Sequence, residues 1–284
     1  MANIISIINM KGGVGKTTIS IGVADYLADT NKKVLIIDID PQFNATQALL
    51  DKYKDIIYED ESKNFYTEEI KKNMKTIYKL FKPMTSLREE ERILNSEDLI
   101  INLKNNLDII CGDLDLVLVN KSSDHANVRR LSNFIEDNNL RERYDFIIID
   151  CPPTLTVYTD SALMASDYYL IPNRIDRYSM VGIDSLQEAV KTLIYQERIR
   201  LKCIGLVYTM LDKTLSQKQQ KIKTNFEAKE TVSAIDIFAS NMGIVRHIQY
   251  GESGSVPTSY KASREDIEAI SLELIEKINN YSEE

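Results

Sequence analysis

The segment at residues 11–18, with the sequence KGGVGKTT, restricts the possible folds of this chain more than any other feature. It follows a short run of β-branched residues, Ile4–Ile8, and precedes a stretch with helical spacing from about Lys16 to Asp29. Glycines let the backbone turn its N–H groups inward around an anion, and the positive end of a following helix favours that anion. This order of strand, turn and helix predicts a phosphate-binding loop at the edge of a parallel sheet.

The rest of the chain alternates between short apolar runs and amphipathic stretches. Strands are predicted at Ile4–Ile8, Val34–Asp38, Leu107–Cys111, Phe146–Asp150, Tyr168–Pro172 and Ile204–Thr209. Helices are predicted near Arg129–Asn138, Met180–Tyr195, Leu215–Phe226 and Glu265–Ile278. Continuously apolar strands that alternate with helices are typical of a sheet covered on both faces. We therefore predict an α/β fold of the P-loop type, with a mostly parallel, doubly wound sheet. We expect a single domain over residues 1–284, with a helical insertion around residues 51–105.

Composition restricts the cellular setting and the partners. The three cysteines, Cys111, Cys151 and Cys203, form no CxxC pair, which gives no support to a zinc ribbon or an iron–sulfur cluster. No run approaches the ~18 apolar residues of a membrane span, and the N-terminus lacks the pattern of a secretory signal, so we expect a cytoplasmic protein. The net charge of −8 argues mildly against nucleic acid, but residues 191–229 hold nine cations and three anions.

The chemistry of the loop follows from its last residues. Gly15, Lys16 and Thr17 complete the general pattern G-x-x-x-x-G-K-[ST], although Met10 occupies the position of the first glycine. In such a loop the lysine reaches the β- and γ-phosphates and the threonine hydroxyl can bind Mg²⁺. The sequence therefore predicts that ATP and Mg²⁺ bind here.

Three motifs together resemble those of one family. Residues 11–18 resemble the deviant Walker A motif of the ParA/MinD ATPases, with a lysine at position 11. Residues 38–46, DIDPQFNAT, are similar to the D-x-D-P-Q-x-N-A-T stretch of that family, and residues 146–153, FIIIDCPP, are similar to its Walker B motif. The motifs occur in the order of the family, and the resemblance extends over nearly the whole chain, weakly across residues 51–105.

The resemblance implies roles for individual residues. Lys11 matches the signature lysine that crosses a dimer interface to the partner's nucleotide, and Asp40 matches the carboxylate that positions the attacking water. Asp150 matches the aspartate that holds Mg²⁺, together with Thr17. We expect Asp38 to contribute less, because alternation along the strand should point it elsewhere.

The nucleotide-binding residues implied in this way include a segment near the adenine that follows a predicted strand. They are Lys11, Gly12, Gly13, Val14, Gly15, Lys16, Thr17, Thr18, Thr209, Met210 and Asp212. Of these, Lys11 and Lys16 are predicted, with Asp40, to act in catalysis.

Several functions are compatible with these motifs. The first is a ParA-type ATPase that dimerises with ATP, binds DNA without sequence preference and partitions plasmid or chromosomal DNA. Its slow hydrolysis would be stimulated by a small ParB-like DNA-binding partner. The alternative is a MinD-like or scaffold-type positioning ATPase that acts on a membrane or a protein cargo. An iron–sulfur carrier and a bacterial tyrosine kinase are disfavoured, because the chain lacks a CxxC pair and a C-terminal tyrosine cluster.

The C-terminal stretch bears on the membrane alternative. The stretch Arg264–Glu284 has an apolar face formed by Ile267, Ile270, Leu274 and Ile278, but it is acidic, so anionic lipid would repel it. We expect a helix that packs on the core and no membrane insertion.

The candidates for DNA contact are basic. They lie in the cationic stretch or, in one case, where relatives often have arginine. They are Lys218, Lys221, Lys223 and Arg246. DNA binding would also place the protein on the nucleoid.

Overall fold

The computed structural model describes residues 1–54, 63–82, 94–121, 125–176, 179–212, 214–246, 248 and 254–283. An eight-stranded sheet forms its centre, with strand order β3-β4-β2-β5-β1-β6-β7-β8. The strands are β1 Asn3–Ile7, β2 Val34–Asp38, β3 Ile100–Lys104, β4 Leu107–Ile110, β5 Phe146–Asp150, β6 Tyr168–Arg174, β7 Lys202–Leu211 and β8 Ile237–Gly243. All neighbouring strands are parallel except β3, which pairs with β4 in the antiparallel direction. The predicted α/β fold with a mostly parallel sheet is confirmed.

Helices cover both faces of the sheet. They are α1 Lys16–Asp29, α2 Asn44–Tyr53, α3 Tyr78–Phe81, α4 Arg130–Asp137, α5 Leu140–Arg143, α6 Val157–Ala165, α7 Ser179–Glu197, α8 Gln217–Glu227, α9 Glu230–Ser233 and α10 Lys261–Glu283. One apolar cluster joins the sheet to α1, α2 and α10, and a second joins it to α4, α6 and α7. The central strands are therefore buried on both sides, which explains why their sequences are continuously apolar.

The C-terminal helix α10 packs on the core. The four apolar residues predicted to face inward, Ile267, Ile270, Leu274 and Ile278, are all buried. Burying an isoleucine or leucine contributes about 1.5–3 kcal/mol relative to exposure, so this face strongly favours the docked position.

The segment predicted as a helical insertion is only partly helical. It includes a π-helix at Tyr66–Lys71, α3 and a 3₁₀ turn at Ser96–Asp98, but its last part is the edge strand β3. A turn joins β3 to β4. Its residue Asn106 has the left-handed conformation that asparagine often adopts in hairpin turns. Residues 55–62 and 83–93 of the predicted insertion lie outside the described residues.

Candidate nucleotide site

The phosphate loop, residues 11–18, lies between β1 and α1 at the carboxyl end of the central strands. Gly13 and Gly15 have φ angles of 69° and 80°, in the left-handed region that glycine tolerates without strain. A Cβ atom added at Gly12 or Gly13 would meet no other atom within 4 Å. The backbone of these glycines therefore lines open space in front of the N-terminus of α1, where an anion is favoured.

Side chains from neighbouring strands hold this loop in place. Asn9 donates from Nδ2 to the carbonyl of Pro172 (2.8 Å), and its Oδ1 accepts from the N–H of Lys11 (3.0 Å). Thr209 donates its hydroxyl to the carbonyl of Val14 (2.7 Å). The loop is thus anchored to β6 and β7, in addition to the two elements that it joins.

Lys16 extends its side chain along the inner side of the loop. It is 6% exposed, and its Nζ donates to the carbonyl of Lys11 (3.0 Å). Burial lowers the pKa of this amine, and the nearby carboxylates of Asp150 and Asp40 partly oppose the change. A buried cation beside open space, bonded to a neutral carbonyl, is well placed to bind an anion.

Strand register brings two aspartates together. Asp38 and Asp150 are paired residues at the ends of the adjacent parallel strands β2 and β5. Both are fully buried. The expectation that Asp38 points elsewhere is wrong, because its carboxylate accepts a hydrogen bond from the N–H of Asp40 and lies close enough to Asp150 and Asp40 for both to raise its pKa.

The buried aspartates resist ionisation. Burial raises the pKa of Asp150 to about 6; the hydroxyls of Ser20 and Thr17 oppose this effect, and the charge of Asp40 adds to it. Burial and then the charge of Asp150 raise the pKa of Asp38 well above its usual value, although Thr46 donates two hydrogen bonds to it. If all three were ionised, Asp38, Asp40 and Asp150, here called the carboxylate cluster, would carry more negative charge than Lys16 offsets.

The oxygen atoms around Asp150 suit a hard cation. Thr17 donates its hydroxyl to Oδ2 (2.8 Å) and Ser20 donates to Oδ1 (2.8 Å). Mg²⁺ in nucleotide sites takes one or two protein ligands and completes its shell with water and phosphate oxygens. Within the described ranges no group of three or more His, Cys, Asp and Glu side chains forms a metal site by itself. The residues present therefore fit a cation that is held jointly with a nucleotide.

Asp40 lies in the turn between β2 and α2. It is 8% exposed, and its Oδ1 accepts from the N–H of Gln42 (2.9 Å). The backbone N–H of Asp40 donates in turn to Asp38 (3.3 Å). The charge of Asp40 raises the pKa of Lys16, so the carboxylate of Asp40 lies near this residue of the phosphate loop.

Lys11 forms an ion pair with Asp176 of the same chain, just after β6. Both side chains are 29% exposed, so the pair lies at the rim of the site. Coulombic attraction between partly exposed groups is moderate, and a stronger anion can displace such a pair.

The residues predicted near the adenine have a different local setting from the one expected. Thr209 and Met210 belong to the last part of β7, and Asp212 comes directly after its end. Thr209 is buried and anchors the phosphate loop, whereas Asp212 is exposed and accepts a hydrogen bond from Gln219 (2.9 Å). Strand β7 is longer than predicted at both ends, because Lys202 and Cys203 already pair with β6 and Leu211 still pairs with β8.

The basic residues predicted to contact DNA do not all share one surface. Lys218 and Lys221 are exposed on one side of α8, which follows the carboxyl end of β7, and Arg246 is exposed just after the carboxyl end of β8. Lys223 lies on another side of the helix, where its amine is 3.5 Å from Glu227 and 5.1 Å from the centre of the Tyr208 ring.

The sequence alone did not reveal several residues of this site. Asn9, Ser20 and Thr46 hold the loop or the carboxylates, and none of them stands out by residue type. The positions of two of them in the sequence could have indicated a role. Ser20 lies one helical turn after Lys16, and Thr46 is the last residue of the motif at residues 38–46.

Comparison with known proteins identifies the family. Residues 2–203 match the family described as AAA domain. The sporulation initiation inhibitor protein Soj of Bacillus subtilis is 32% identical over 221 residues, which are 75% of this chain and 74% of Soj.

Two solved structures show the same fold. A plasmid partition protein from Borrelia burgdorferi has a TM-score of 0.71 at 24% identity, with 97% of this chain and 99% of that chain covered. The ATP complex of a McdA variant from Cyanothece has a TM-score of 0.74 at 20% identity, with coverages of 98% and 96%. With its deviant phosphate loop, its paired aspartates and these relatives, the chain belongs to the ParA/MinD family of P-loop ATPases.

Proposed function

We propose that this chain is a ParA-type partition ATPase, which binds ATP with Mg²⁺, dimerises, binds DNA and hydrolyses ATP slowly. The observation that carries the proposal is the open glycine loop in front of α1, with buried Lys16 and the carboxylate cluster close to each other beside it. This arrangement offers donors and a cation to the phosphates, and it offers oxygen ligands to a metal.

Each residue of the site has a task in this proposal. The N–H groups of residues 12–17 and the amine of Lys16 would bind the phosphate oxygens, and Thr17 and Asp150 would hold the cation. When bound, Mg²⁺ offsets negative charge on the phosphate oxygens. Asp40 would accept a hydrogen bond from the attacking water and orient it towards the phosphate that is transferred.

Lys11 would act between two copies of the chain. In the single chain its amine pairs with Asp176. In the ATP-bound dimer it would leave this carboxylate and contact the nucleotide of the partner, as the resemblance to the family implies. A cation at these oxygens stabilises the charge that develops during phosphoryl transfer.

DNA binding would use the exposed cations at the carboxyl edge of the sheet, namely Lys218, Lys221 and Arg246. Dimerisation would double the number of phosphate contacts, so binding should depend on ATP and weaken steeply with salt. A small ParB-like DNA-binding protein would stimulate hydrolysis, and the ATP-bound form would associate with the nucleoid. We assign Lys223 a smaller part, because Glu227 and Tyr208 already engage its amine.

Two observations concern the membrane alternative. None of the helices in the described ranges combines the length and the apolar character that a membrane span requires. The apolar side of α10 is buried against the core, whereas an interfacial helix would need that side to contact lipid.

The DNA assignment can be tested by gel retardation of plasmid DNA at low salt, with ATP or ADP. The wild-type protein should retain DNA with ATP alone. A variant with Lys218→Glu and Lys221→Glu should lose most of this retention while its ATP affinity is unchanged. The loss of two phosphate contacts per protomer should also reduce the salt slope by about two per protomer.

A matched control carries the same change in net charge elsewhere. Lys72 and Lys261 are exposed cations on other parts of the chain, each paired with an acidic residue four positions away, and Lys72→Glu with Lys261→Glu should leave retention intact. Equal losses in both double variants would show that overall charge, and not this surface, governs the interaction. If the wild-type protein with ATP does not retard DNA at any salt concentration, the partition function is wrong.

A further inference from the structure

Residues 63–82, here called the edge segment, pass around the edge of the sheet formed by β3 and β4. Ile70 is buried in the apolar cluster on the α1 side, whereas Ile77 and Phe81 are buried in the cluster on the other side. Between them Thr76 forms a bridge with Cys111, the residue that follows β4. The edge segment therefore reaches the carboxyl end of the sheet, where the loop Asp38–Thr46 carries two members of the carboxylate cluster.

We propose that Tyr66 and Lys71 of the edge segment are positioning residues for ATP hydrolysis. They hold the loop Asp38–Thr46 so that Asp40 faces the phosphate loop. This proposal rests on the ATPase activity proposed above. It states that the edge segment affects the rate of ATP hydrolysis and does not affect ATP affinity.

The first contact is made by an aromatic pair. Phe43, in the middle of the loop, has φ 39° and ψ 38°, a left-handed conformation that is unfavourable for a bulky side chain. The ring of Tyr66 stacks on Phe43 with centroids 5.0 Å apart and planes inclined by 12°. Stacking changes a local equilibrium by up to about tenfold, so Tyr66 favours this strained conformation over relaxed ones.

The second contact is a series of hydrogen bonds. Tyr66 donates its hydroxyl to the carbonyl of Gly112 (3.0 Å), and the N–H of Gly112 donates to the hydroxyl of Thr46 (2.8 Å). That hydroxyl donates to Asp38 Oδ2 (2.7 Å), and Asp38 accepts from the N–H of Asp40. The series connects the edge segment to the backbone of the residue proposed to position water.

Gly112 permits this close approach. A Cβ atom at this position would lie 2.6 Å from the Cβ of Phe43 and 3.0 Å from the carboxyl carbon of Asp38. No side chain fits between the loop and the residues after β4. The position of Gly112 therefore determines where the loop can lie.

The third contact fixes the residues after Gly112. Lys71 forms ion pairs with Asp113 and Asp115, the second at 2.7 Å. Thr76 donates its hydroxyl to the other oxygen of Asp113 (2.7 Å). Asp113 is almost completely buried, so its pairing with Lys71 is an attachment between the edge segment and the sheet.

The phosphate loop has separate anchors, since Asn9 and Thr209 attach it to β6 and β7. Weakening the edge segment should therefore lower the rate of hydrolysis and leave ATP affinity unchanged. A residue that only stabilised the fold would change both quantities or neither.

The test uses the full chain with four substitutions. Tyr66→Ala removes the stack and the hydroxyl, whereas Tyr66→Phe keeps the stack. Lys71→Met removes the attachment to Asp113 and Asp115, whereas Lys72→Met breaks only the exposed pair with Glu68 inside the edge segment and serves as its control. Hydrogen exchange without nucleotide, ATP affinity by calorimetry and turnover under saturating ATP and Mg²⁺ are measured for each variant.

Tyr66→Ala and Lys71→Met should raise amide exchange across residues 40–46 without changing exchange in the phosphate loop. Both should lower turnover by about tenfold at unchanged ATP affinity, and Tyr66→Phe should restore most of the rate. Lys72→Met should behave like the wild-type protein in all three measurements.

Hydrogen exchange separates this proposal from the proposed function, because it requires no hydrolysis. A wild-type protein without turnover would contradict the ATPase function, while faster exchange in the Tyr66→Ala loop would still support the contact between the edge segment and the loop. Unchanged exchange across residues 40–46 in both Tyr66→Ala and Lys71→Met would overturn the proposal. So would wild-type turnover in these two variants.

Discussion

Two sets of buried groups lie along helix α1, and they differ in their balance of charge. Near its N-terminus, Thr17 and Ser20 bond Asp150, whose neighbours Asp38 and Asp40 are also acidic. Two turns later Asp25 is equally buried, but cations and hydroxyls surround it. Its partners are Lys52, Tyr53, Lys104 and Thr258.

The pKa values follow this difference. Burial opposes ionisation of Asp25, but hydrogen bonds from Lys104, Thr258 and Tyr53 and the charge of Lys52 outweigh it and lower the pKa. Burial and neighbouring acids raise the pKa values of Asp38 and Asp150. Asp25 and its four partners, here called the compensated cluster, hold structural elements together. The carboxylate cluster, here also called the uncompensated cluster, requires an added cation and marks a functional site.

The largest expected effect concerns the cation of the uncompensated cluster. Lys16→Ala removes contacts to two phosphates, each a charge-assisted bond worth roughly 1.5–3 kcal/mol. ATP affinity in the presence of Mg²⁺ should therefore fall by at least about a hundredfold. Titration calorimetry measures this directly, and unchanged affinity would remove the assignment of Lys16 to the phosphates.

A substitution in the compensated cluster should lower the free energy of unfolding. Asp25→Ala leaves Lys52 and Lys104 without their buried partner, and breaking such a pair costs about 3 kcal/mol when the cations retain some solvent. Because the pKa of Asp25 is lowered on folding, its contribution is present above pH about 4 and is lost as the pH falls below that value. Denaturant unfolding should show a larger difference from the wild-type protein at pH 7 than at pH 3. A difference that grows with acidification would contradict this description of Asp25.

A substitution in the uncompensated cluster should raise the free energy of unfolding. With a pKa of about 6, Asp150 takes up a proton in the folded chain between pH 6 and 4, where the unfolded chain does not. Its destabilising effect is therefore complete above pH 6 and disappears near pH 4. Asp150→Asn should stabilise the nucleotide-free protein by on the order of 2–3 kcal/mol at pH 7 and by little at pH 4.

The two clusters should also differ in their effect on ATP binding with Mg²⁺. Asp150→Asn should lose the part of the ATP affinity that depends on Mg²⁺, whereas Asp25→Ala, where folded, should keep it. Calorimetric titrations with ATP, with and without Mg²⁺, check both variants. If Asp150→Asn were less stable than the wild-type protein at pH 7, the charge imbalance assigned to this cluster would be wrong.

The sequence predicted the central strands and the phosphate loop well, because these parts follow local rules. Buried parallel strands are continuous apolar runs, and a glycine-rich turn between a strand and a helix has few other uses. The position of Asp38 was predicted wrongly, because alternation along β2 does not extend to Asp40, which lies in the turn after the strand.

Other features depend on contacts that are distant in sequence. The four partners of Asp25 come from α2, β3 and the turn before α10, and no local pattern indicates that they meet. Strand β3 was missed because it is a mostly half-exposed edge strand, paired in the antiparallel direction, in which Asn102 and Lys104 interrupt the apolar run. The different settings of Lys221 and Lys223 also depend on the packing of α8 against β7, where Tyr208 lies.

The most direct test of the proposed function is the mass of the protein in solution, measured by light scattering with ATP and Mg²⁺ and, separately, with ADP. Asp40→Ala keeps the binding groups but loses the carboxylate that orients water, so it should accumulate as a dimer with ATP and remain a monomer with ADP. Lys11→Ala should retain some nucleotide binding and stay monomeric with either nucleotide. A monomeric Asp40→Ala variant at saturating ATP, or an ATP dimer of Lys11→Ala, would contradict the account.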